Sequence, residues 1–138
     1  MNTPSKSIID IHTWTEPGYQ PLVFSHDWQV ALLNADANCL LENIGRIERH
    51  NQTDEVFILL HGQSALLVRN DSEIKLFDMQ PGVIYNVPRT IWHTLLSSPD
   101  ASWTIVENRN THLDDNEVRQ MTPFEKEGFP ARLPIWLK

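Results

Sequence analysis

The sequence predicts an all-β fold, either a sandwich or a barrel of short strands. Turn-forming residues recur at short intervals after residue 60, at His61-Gly62, Asn70-Asp71, Pro81-Gly82, Pro88-Arg89-Thr90 and Pro99-Asp100. The segments between these turns are rich in β-branched and aromatic residues and are too short for ordinary helices. Residues 56–60 are apolar on both faces of a strand, which indicates a central strand or one that a second layer covers.

Composition and charge narrow the class of protein. A chain of 138 residues with 41% hydrophobic residues is long enough for one domain with its own core. The formal net charge of −7 argues against sequence-independent binding of nucleic acid and against binding to anionic membranes. The single cysteine, Cys39, excludes an intrachain disulfide and fits a reducing compartment. Because the sequence has no signal-peptide pattern and no transmembrane stretch, we expect a soluble cytoplasmic protein.

The N-terminal elements are less regular than the later strands. The pattern predicts an extended segment, a turn and two strands, at residues 8–14, 16–18, 21–24 and 28–33. Turn-forming residues fill positions 34–38, and a further strand is predicted from residue 39 to residue 44. Gly45 would then be a bulge or kink before a strand at residues 46–50.

The C-terminal part predicts a short helix and a packed tail. Thr122 is a good N-cap, Pro123 suits the first helical position, and Glu125 follows the cap by three residues. Gly128 would end this helix. Residues 133–137 are mostly apolar, so we expect them to pack on the domain or on a second subunit.

The most informative stretch is residues 45–62. Glu48 and His50 are two residues apart, so their side chains point to the same face of a strand. Residues 51–54 are turn formers, which predicts two paired strands with a tight connection. Glu55 then opens the apolar strand. Charged groups beside an apolar strand are costly unless a partner compensates for them, and a divalent metal is one such partner.

This stretch resembles the first motif of the cupin superfamily. That motif has two His separated by one residue, then three or four residues, a Glu, six residues and a Gly. Here four residues separate His50 from Glu55, and six separate Glu55 from Gly62. His50 therefore matches the second His, and Glu48 stands where the first His is usual.

A later stretch resembles the second cupin motif. The family pattern is Gly, five residues, Pro, one residue, Gly, two residues and His. The chain has Gly82, Pro88, Thr90 and His93 at these spacings, with Thr90 in place of the second Gly. The resemblance covers about residues 28–108, which would form the core of the barrel.

The resemblance implies a double-stranded β-helix, or jelly roll, with a pocket in the mouth of the barrel. Residues 1–138 would form a single cupin domain, with a C-terminal extension at residues 111–138. The metal ligands carried over from the family would be His50, Glu55 and His93, with Glu48 replacing a His. Two imidazoles and one or two carboxylates suit Fe(II), Mn(II), Ni(II) or Zn(II).

One of these ligands and a further residue, Arg46, would also act on a bound molecule. Glu48 would be a fourth ligand or a general base, and Arg46, on the same face of the strand, would hold an anionic group. Alternatively, Arg46 and Glu48 neutralise each other. The other histidines lie in turn-like or polar segments and are predicted to be at the surface: His12, His26, His61 and His112.

Three functions stay open at this point. The first is a metal-dependent enzyme that isomerises, decarboxylates or dioxygenates a small polar or anionic molecule. The second is a non-catalytic cupin that binds a small molecule without a functional metal. The third is an interaction module that works through residues 129–138. Cupins often pair through their sheets, and the apolar side chains of Val56, Ile58 and Leu60 need cover, so we expect a homodimer.

Overall fold

The computed structural model of the protein describes residues 8–71, 73–129, 131 and 133–137. Within this part of the chain, the regular structure is predominantly β, which confirms the predicted class. The strands are β1 (Gly18–Phe24), β2 (Trp28–Asn34), β3 (Arg46–Arg49), β4 (Glu55–His61), β5 (Ser64–Arg69), β6 (Ile74–Asp78), β7 (Ile84–Val87), β8 (Trp92–Ser97), β9 (Ser102–Asn108) and β10 (Glu117–Gln120). The α-helices are α1 (Thr111–Asp114) and α2 (Pro123–Gly128).

The strands form two antiparallel sheets of five strands each. The first sheet has the order β1-β2-β9-β4-β7, and the second has the order β10-β3-β8-β5-β6. Strands that are distant in the chain therefore become neighbours, as β2 does with β9 and β3 with β8. Because the inner faces of two stacked sheets meet, residues from distant parts of the sequence come together between them.

The space between the sheets is apolar at one end and polar at the other. The inward-facing residues of β9 are Trp103, Ile105 and Glu107, so the apolar character stops at Glu107. Trp103 is fully buried and donates its indole N–H to the Ser64 hydroxyl on the second sheet at 3.1 Å. Buried side chains therefore fill the apolar end of the sandwich, and the polar end is the candidate place for a binding site.

The second sheet is also covered on its outer face. Phe129 belongs to a buried cluster that includes Ile47 of β3, and Leu133 and Trp136 pack against this cluster. The Trp136 indole N–H donates to the Asp78 carboxylate at 2.9 Å. The C-terminal segment therefore packs on its own domain, which is one of the two predicted outcomes.

Helix α2 begins with the predicted cap. The Thr122 hydroxyl accepts from the N–H of Glu125 at 3.2 Å, and the Glu125 carboxylate accepts from the N–H of Thr122 at 2.8 Å. Pro123 is the first helical residue. The same carboxylate accepts from the Arg119 guanidinium at 2.8 and 3.0 Å and forms an ion pair with Arg69. One buried carboxylate thus ties α2 to both β10 and β5.

The predicted hairpin of β3 and β4 is wrong. Strand β3 pairs with β8 and β10, whereas β4 pairs with β7 and β9. Residues 51–54 therefore cross from one sheet to the other. The Asp115 carboxylate stabilises this crossing, because it accepts from the N–H groups of Asn51 and Gln52, each at 2.8 Å.

The strand predicted at residues 39–44 is also wrong. Ala37–Cys39 and Leu41–Asn43 each form a single turn of 3₁₀-helix. The Asp36 carboxylate caps the first turn by accepting from the N–H of Asn38 at 2.9 Å. Short polar side chains that bond to neighbouring backbone groups compete in this way with strand pairing.

The turn before β8 has a strained backbone at Thr90. Its φ of +72° lies in the left-handed region, which glycine tolerates and a β-branched residue rarely adopts. The N–H of Thr90 donates to the carbonyl oxygen of His50 at 2.6 Å. The conformation accounts for a Gly at this place in the cupin motif, and the hydrogen bond joins the two motif regions.

Candidate metal centre

Four ionisable side chains converge at the polar end of the sandwich. Glu48, His50, Glu55 and His93 each offer one ligand atom, and these atoms all lie within 4.8 Å of one another. Glu48 is on β3 and His50 directly follows it, Glu55 begins β4, and His93 is on β8. Both sheets therefore contribute, and the crossing after β3 brings Glu55 close to His50.

Glu55 is the central member of this cluster. Its Oε1 atom lies 2.8 Å from Nε2 of His93 and 3.3 Å from Nε2 of His50. Nε2 of His93 is also 4.0 Å from Oε1 of Glu48. The side chains of Glu55, His50 and His93 are almost fully buried, whereas that of Glu48 is 36% exposed.

The backbone fixes the orientation of both imidazoles. Nδ1 of His50 lies 2.8 Å from the carbonyl oxygen of Asp115, and Nδ1 of His93 lies 2.9 Å from that of Ile91. A carbonyl oxygen can only accept, so each Nδ1 carries a hydrogen and each Nε2 faces the cluster. Histidines that bind metals usually have this arrangement.

Burial and charge act in opposite directions on these groups. Burial alone would lower the pKa of His50, but the Glu55 carboxylate raises it to about 9. Burial opposes the ionisation of Glu55, but the neighbouring imidazoles of His50 and His93 hold its pKa well below the ordinary value. Burial, followed by the negative charge of Glu55, raises the pKa of Glu48. The binding of a metal cation would therefore release protons from the cluster.

The donor set fits a divalent metal. Within the described residues, the buried Nε2 atom of His50 makes no hydrogen bond, although Glu55 is nearby. An unsatisfied buried nitrogen is costly, and coordination to a metal would remove that cost. Two imidazoles and two carboxylates are also suitable ligands for first-row divalent metals.

A second buried carboxyl group, that of Glu107, lies beside the cluster and was not predicted. Its Oε1 atom accepts from the Tyr19 hydroxyl and lies 3.3 Å from the amide nitrogen of Gln29. Burial, followed by the nearby Glu55 carboxylate, raises the pKa of Glu107 to about 9. Every second residue of β9 faces inward, and the last of these residues is Glu107. This alternation in the sequence is the pattern that could have identified Glu107 as a buried carboxyl group.

The surface position predicted for His112 is wrong. His112 is half-buried and lines the cavity, and its Nδ1 atom lies 3.1 Å from the amide nitrogen of Gln29. The fully buried Gln29 side chain needs partners, and the N–H of Asn110 donates to its oxygen at 2.9 Å. The prediction of surface positions is confirmed for the exposed histidines His12, His26 and His61.

The cluster lines a cavity of about 440 Å³. Phe57 contributes an apolar part of the wall and Gln120 an amide, and Arg46 also lines the cavity. Within the described residues, no carboxylate lies within 4.0 Å of the Arg46 guanidinium, so Arg46 and Glu48 form no direct ion pair. The positive charge of Arg46 still lowers the pKa of Glu48, which reduces the effect of its burial.

Comparison with known proteins gives matches among solved structures. No protein-family model and no curated protein matches the chain. A cupin-2 domain containing protein from Shewanella frigidimarina is similar over 69% of this chain and 85% of its own, with 22% identity and a TM-score of 0.53. KdgF from a Halomonas species matches over 74% and 92%, with 17% identity and a TM-score of 0.51.

A third match is a variant of the 3,4-ketoisomerase QdtA from Thermoanaerobacterium thermosaccharolyticum, in complex with TDP-4-keto-6-deoxyglucose. It is similar over 64% of this chain and 63% of its own, with 15% identity and a TM-score of 0.53. At these identities the matches show the fold, and they confirm the jelly roll of the cupins. No helix in the described part of the chain is long and apolar enough to cross a membrane.

Proposed function

We propose that the chain is a small cupin that binds one divalent metal through His50, Glu55, His93 and Glu48. It would act on, or bind, a small polar or anionic metabolite in the cavity. One observation carries the proposal: four ligand atoms converge within 4.8 Å, and both imidazoles are oriented by backbone carbonyl groups. Side chains held in this way on strands give a metal fixed ligand directions.

The donor set favours Fe(II), Mn(II), Ni(II) or Zn(II). The two carboxylates of Glu48 and Glu55 balance the charge of a dication and favour the harder metals of this group. A bound metal of this kind supplies Lewis acidity or activates O₂. The reaction class would then be an isomerisation, a decarboxylation or a dioxygenation.

Glu48 and Arg46 are the proposed residues for contact with the metabolite. Glu48 is the most exposed member of the cluster, so it could serve as a fourth ligand or as a general base. Arg46 lines the same cavity and has no carboxylate within 4.0 Å among the described residues. A guanidinium that forms no ion pair is suited to an anionic group of a ligand.

The alternative is a cupin that binds a small molecule without a functional metal. The 2.8 Å contact between Glu55 and His93 favours it, because protonated imidazole already balances the buried carboxylate. The departures from the family motifs at Glu48 and Thr90 favour it as well. In this alternative, the cavity and Arg46 keep their roles.

Elemental analysis distinguishes these two functions. Protein purified without an affinity tag is expected to contain about one equivalent of Fe, Mn, Ni or Zn per chain. The His93→Ala variant is expected to lose this metal, because it removes a buried imidazole ligand. The control variant His61→Ala should keep it, since His61 is exposed and pairs with Asp100. A wild-type protein that contains no metal, even after incubation with each ion, would favour the alternative.

We also propose that the protein is a homodimer. On the outer face of the first sheet, Val56 and Ile58 are half-buried, and Leu60 and Ile84 are 50% and 68% exposed. A contiguous apolar face of this kind is a common site of protein association. Light scattering is expected to give the mass of two chains for the wild type and a lower mass for Ile84→Arg. A wild-type mass equal to one chain would contradict the dimer.

We further propose that the chain acts as a single cytoplasmic domain that binds neither nucleic acid nor membranes. The free and buried Cys39 supports a reducing compartment. The net charge of −7 opposes binding to polyanions. The packing of the C-terminal extension on the second sheet supports a single domain. Recovery of the protein with membranes in cell fractionation would contradict the location.

A further inference from the structure

One oxygen of the Glu107 carboxyl group accepts hydrogen bonds from the described residues, and the other accepts none. Oε1 accepts from the Tyr19 hydroxyl, and the Gln29 amide nitrogen lies 3.3 Å from the same atom. Oε2 accepts no hydrogen bond from the described residues, although the side chain is only 2% exposed, and the carboxyl group also lies within hydrogen-bond reach of the Glu55 carboxylate. A buried polar atom without a partner is costly, so Oε2 is a candidate contact for a bound molecule.

The Oε2 atom of Glu107 faces the metal cluster. Oε2 lies 3.9 Å from Nε2 of His50, which is itself buried and without a hydrogen-bond partner in the described part of the chain. Glu107 is on the first sheet and His50 follows a strand of the second sheet, and both line the cavity. A molecule bound at the cluster would therefore meet the Glu107 carboxyl group as well.

A hydrogen-bond network holds Glu107 in this orientation. The N–H of Asn110 donates to the side-chain oxygen of Gln29 at 2.9 Å, so the NH₂ group of Gln29 faces Tyr19 and Glu107. This NH₂ group donates to the Tyr19 hydroxyl at 2.8 Å, and the Tyr19 hydrogen is then available to Glu107. Strands β1, β2 and β9 thus hold Oε1 and leave Oε2 directed at the cluster.

We propose that Oε2 of Glu107 forms a hydrogen bond with an oxygen atom of a small molecule bound at the metal cluster. This inference rests on the proposed metal-binding function. Because Oε2 lies so close to the ligand atoms, the fitting molecule carries oxygens on adjacent atoms, as α-hydroxy and α-keto acids do. One oxygen would bind the metal and its neighbour would meet Glu107. Tyr19 and Gln29 are positioning residues that act through Glu107.

Acetohydroxamate, which carries oxygens on adjacent atoms, is a suitable probe. It is titrated into Co(II)-loaded protein while the visible spectrum of Co(II) is followed, and the Co(II) content of the same samples is measured. Glu107→Met is expected to keep its Co(II) and to bind acetohydroxamate roughly tenfold more weakly or worse, because one buried hydrogen bond is lost. The exposed control Glu73→Gln should change neither quantity.

Glu107→Gln shows the direction of the hydrogen bond. In this variant the side-chain oxygen still accepts from Tyr19, and the NH₂ group takes the place of Oε2 and can only donate. An unchanged affinity for acetohydroxamate therefore means that Glu107 donates a hydrogen bond to the ligand in the wild type. Weakened binding means that Glu107 accepts from it. If Glu107→Met does not fold, Tyr19→Phe replaces it, and this variant is expected to weaken acetohydroxamate binding at least about threefold.

Three results would overturn the inference, and they are distinguishable. Unchanged acetohydroxamate binding in Glu107→Met, or in both Glu107→Gln and Tyr19→Phe, would remove the role of Glu107. A Co(II)-loaded wild type that does not bind acetohydroxamate would remove the ligand class. A wild type that takes up no Co(II) would overturn the proposed function together with the inference, and the Co(II) content alone identifies that case.

Discussion

Replacement of Glu55 by Gln is expected to weaken the binding of a divalent metal by more than about a hundredfold. Substitutions that only disturb the orientation of metal ligands cost about 10- to 100-fold in affinity, so the loss of a central ligand should cost more. Glu55 is that ligand, since its Oε1 atom contacts the Nε2 atoms of both His93 and His50. The amide has a similar size but carries no charge, and it is a much poorer ligand for a cation.

Competition with a chromophoric chelator at fixed pH measures this loss of affinity. Glu73→Gln is the matched control, because it makes the same chemical change at an exposed position directly before β6. Circular dichroism of both variants checks that they are folded. An affinity of Glu55→Gln within about threefold of the wild type would mean that the metal binds elsewhere.

Replacement of Glu125 by Ala is expected to lower the free energy of unfolding by roughly 2–3 kcal/mol, because it breaks a buried ion pair and a helix cap together. The carboxylate accepts hydrogen bonds from Arg119 and from the N–H of Thr122, and it pairs with Arg69. Its removal leaves two guanidinium groups without their shared anion. Urea denaturation measures the loss, and the exposed Glu127→Ala is the control. A loss no larger than that of Glu127→Ala would contradict this account.

The same carboxylate should make the stability of the fold depend on pH. Hydrogen bonds from Arg119 lower the pKa of Glu125 from 4.5 to about 2. A carboxyl group whose pKa is lower in the folded state stabilises the fold above its unfolded pKa, and this contribution is lost as the pH falls through the folded value. The wild type should therefore lose more stability than Glu125→Gln between about pH 5 and pH 2. Parallel losses in the two proteins would contradict the expectation.

The residues of the centre could be predicted from the sequence because their spacing along the chain carries information. The separations from Glu48 and His50 to Glu55 and from Gly82 to His93 predict a shared cluster, and these side chains do lie together. The cap of α2 was predictable for a similar reason, since Thr122 and Glu125 interact across a single turn. Local spacing is sufficient where the interacting groups are close in sequence or belong to a known motif.

The surroundings of the centre could not be predicted, because they depend on which strands become neighbours. The residues 51–54 look like a hairpin turn, but Asp115, far away in the chain, binds their backbone and they cross between the sheets. Gln29 and Glu107 meet only because β2 lies beside β9. His112 lies in a polar segment, but its side chain contacts the buried Gln29 and is therefore half-buried.

The most direct test of the metal centre is anomalous diffraction from crystals grown with Mn(II) or Co(II). One strong anomalous peak is expected, in contact with Nε2 of His50 and of His93 and with the carboxylates of Glu55 and Glu48. Peaks found only at exposed pairs such as His61 and Asp100, with none at the four converging side chains, would contradict it.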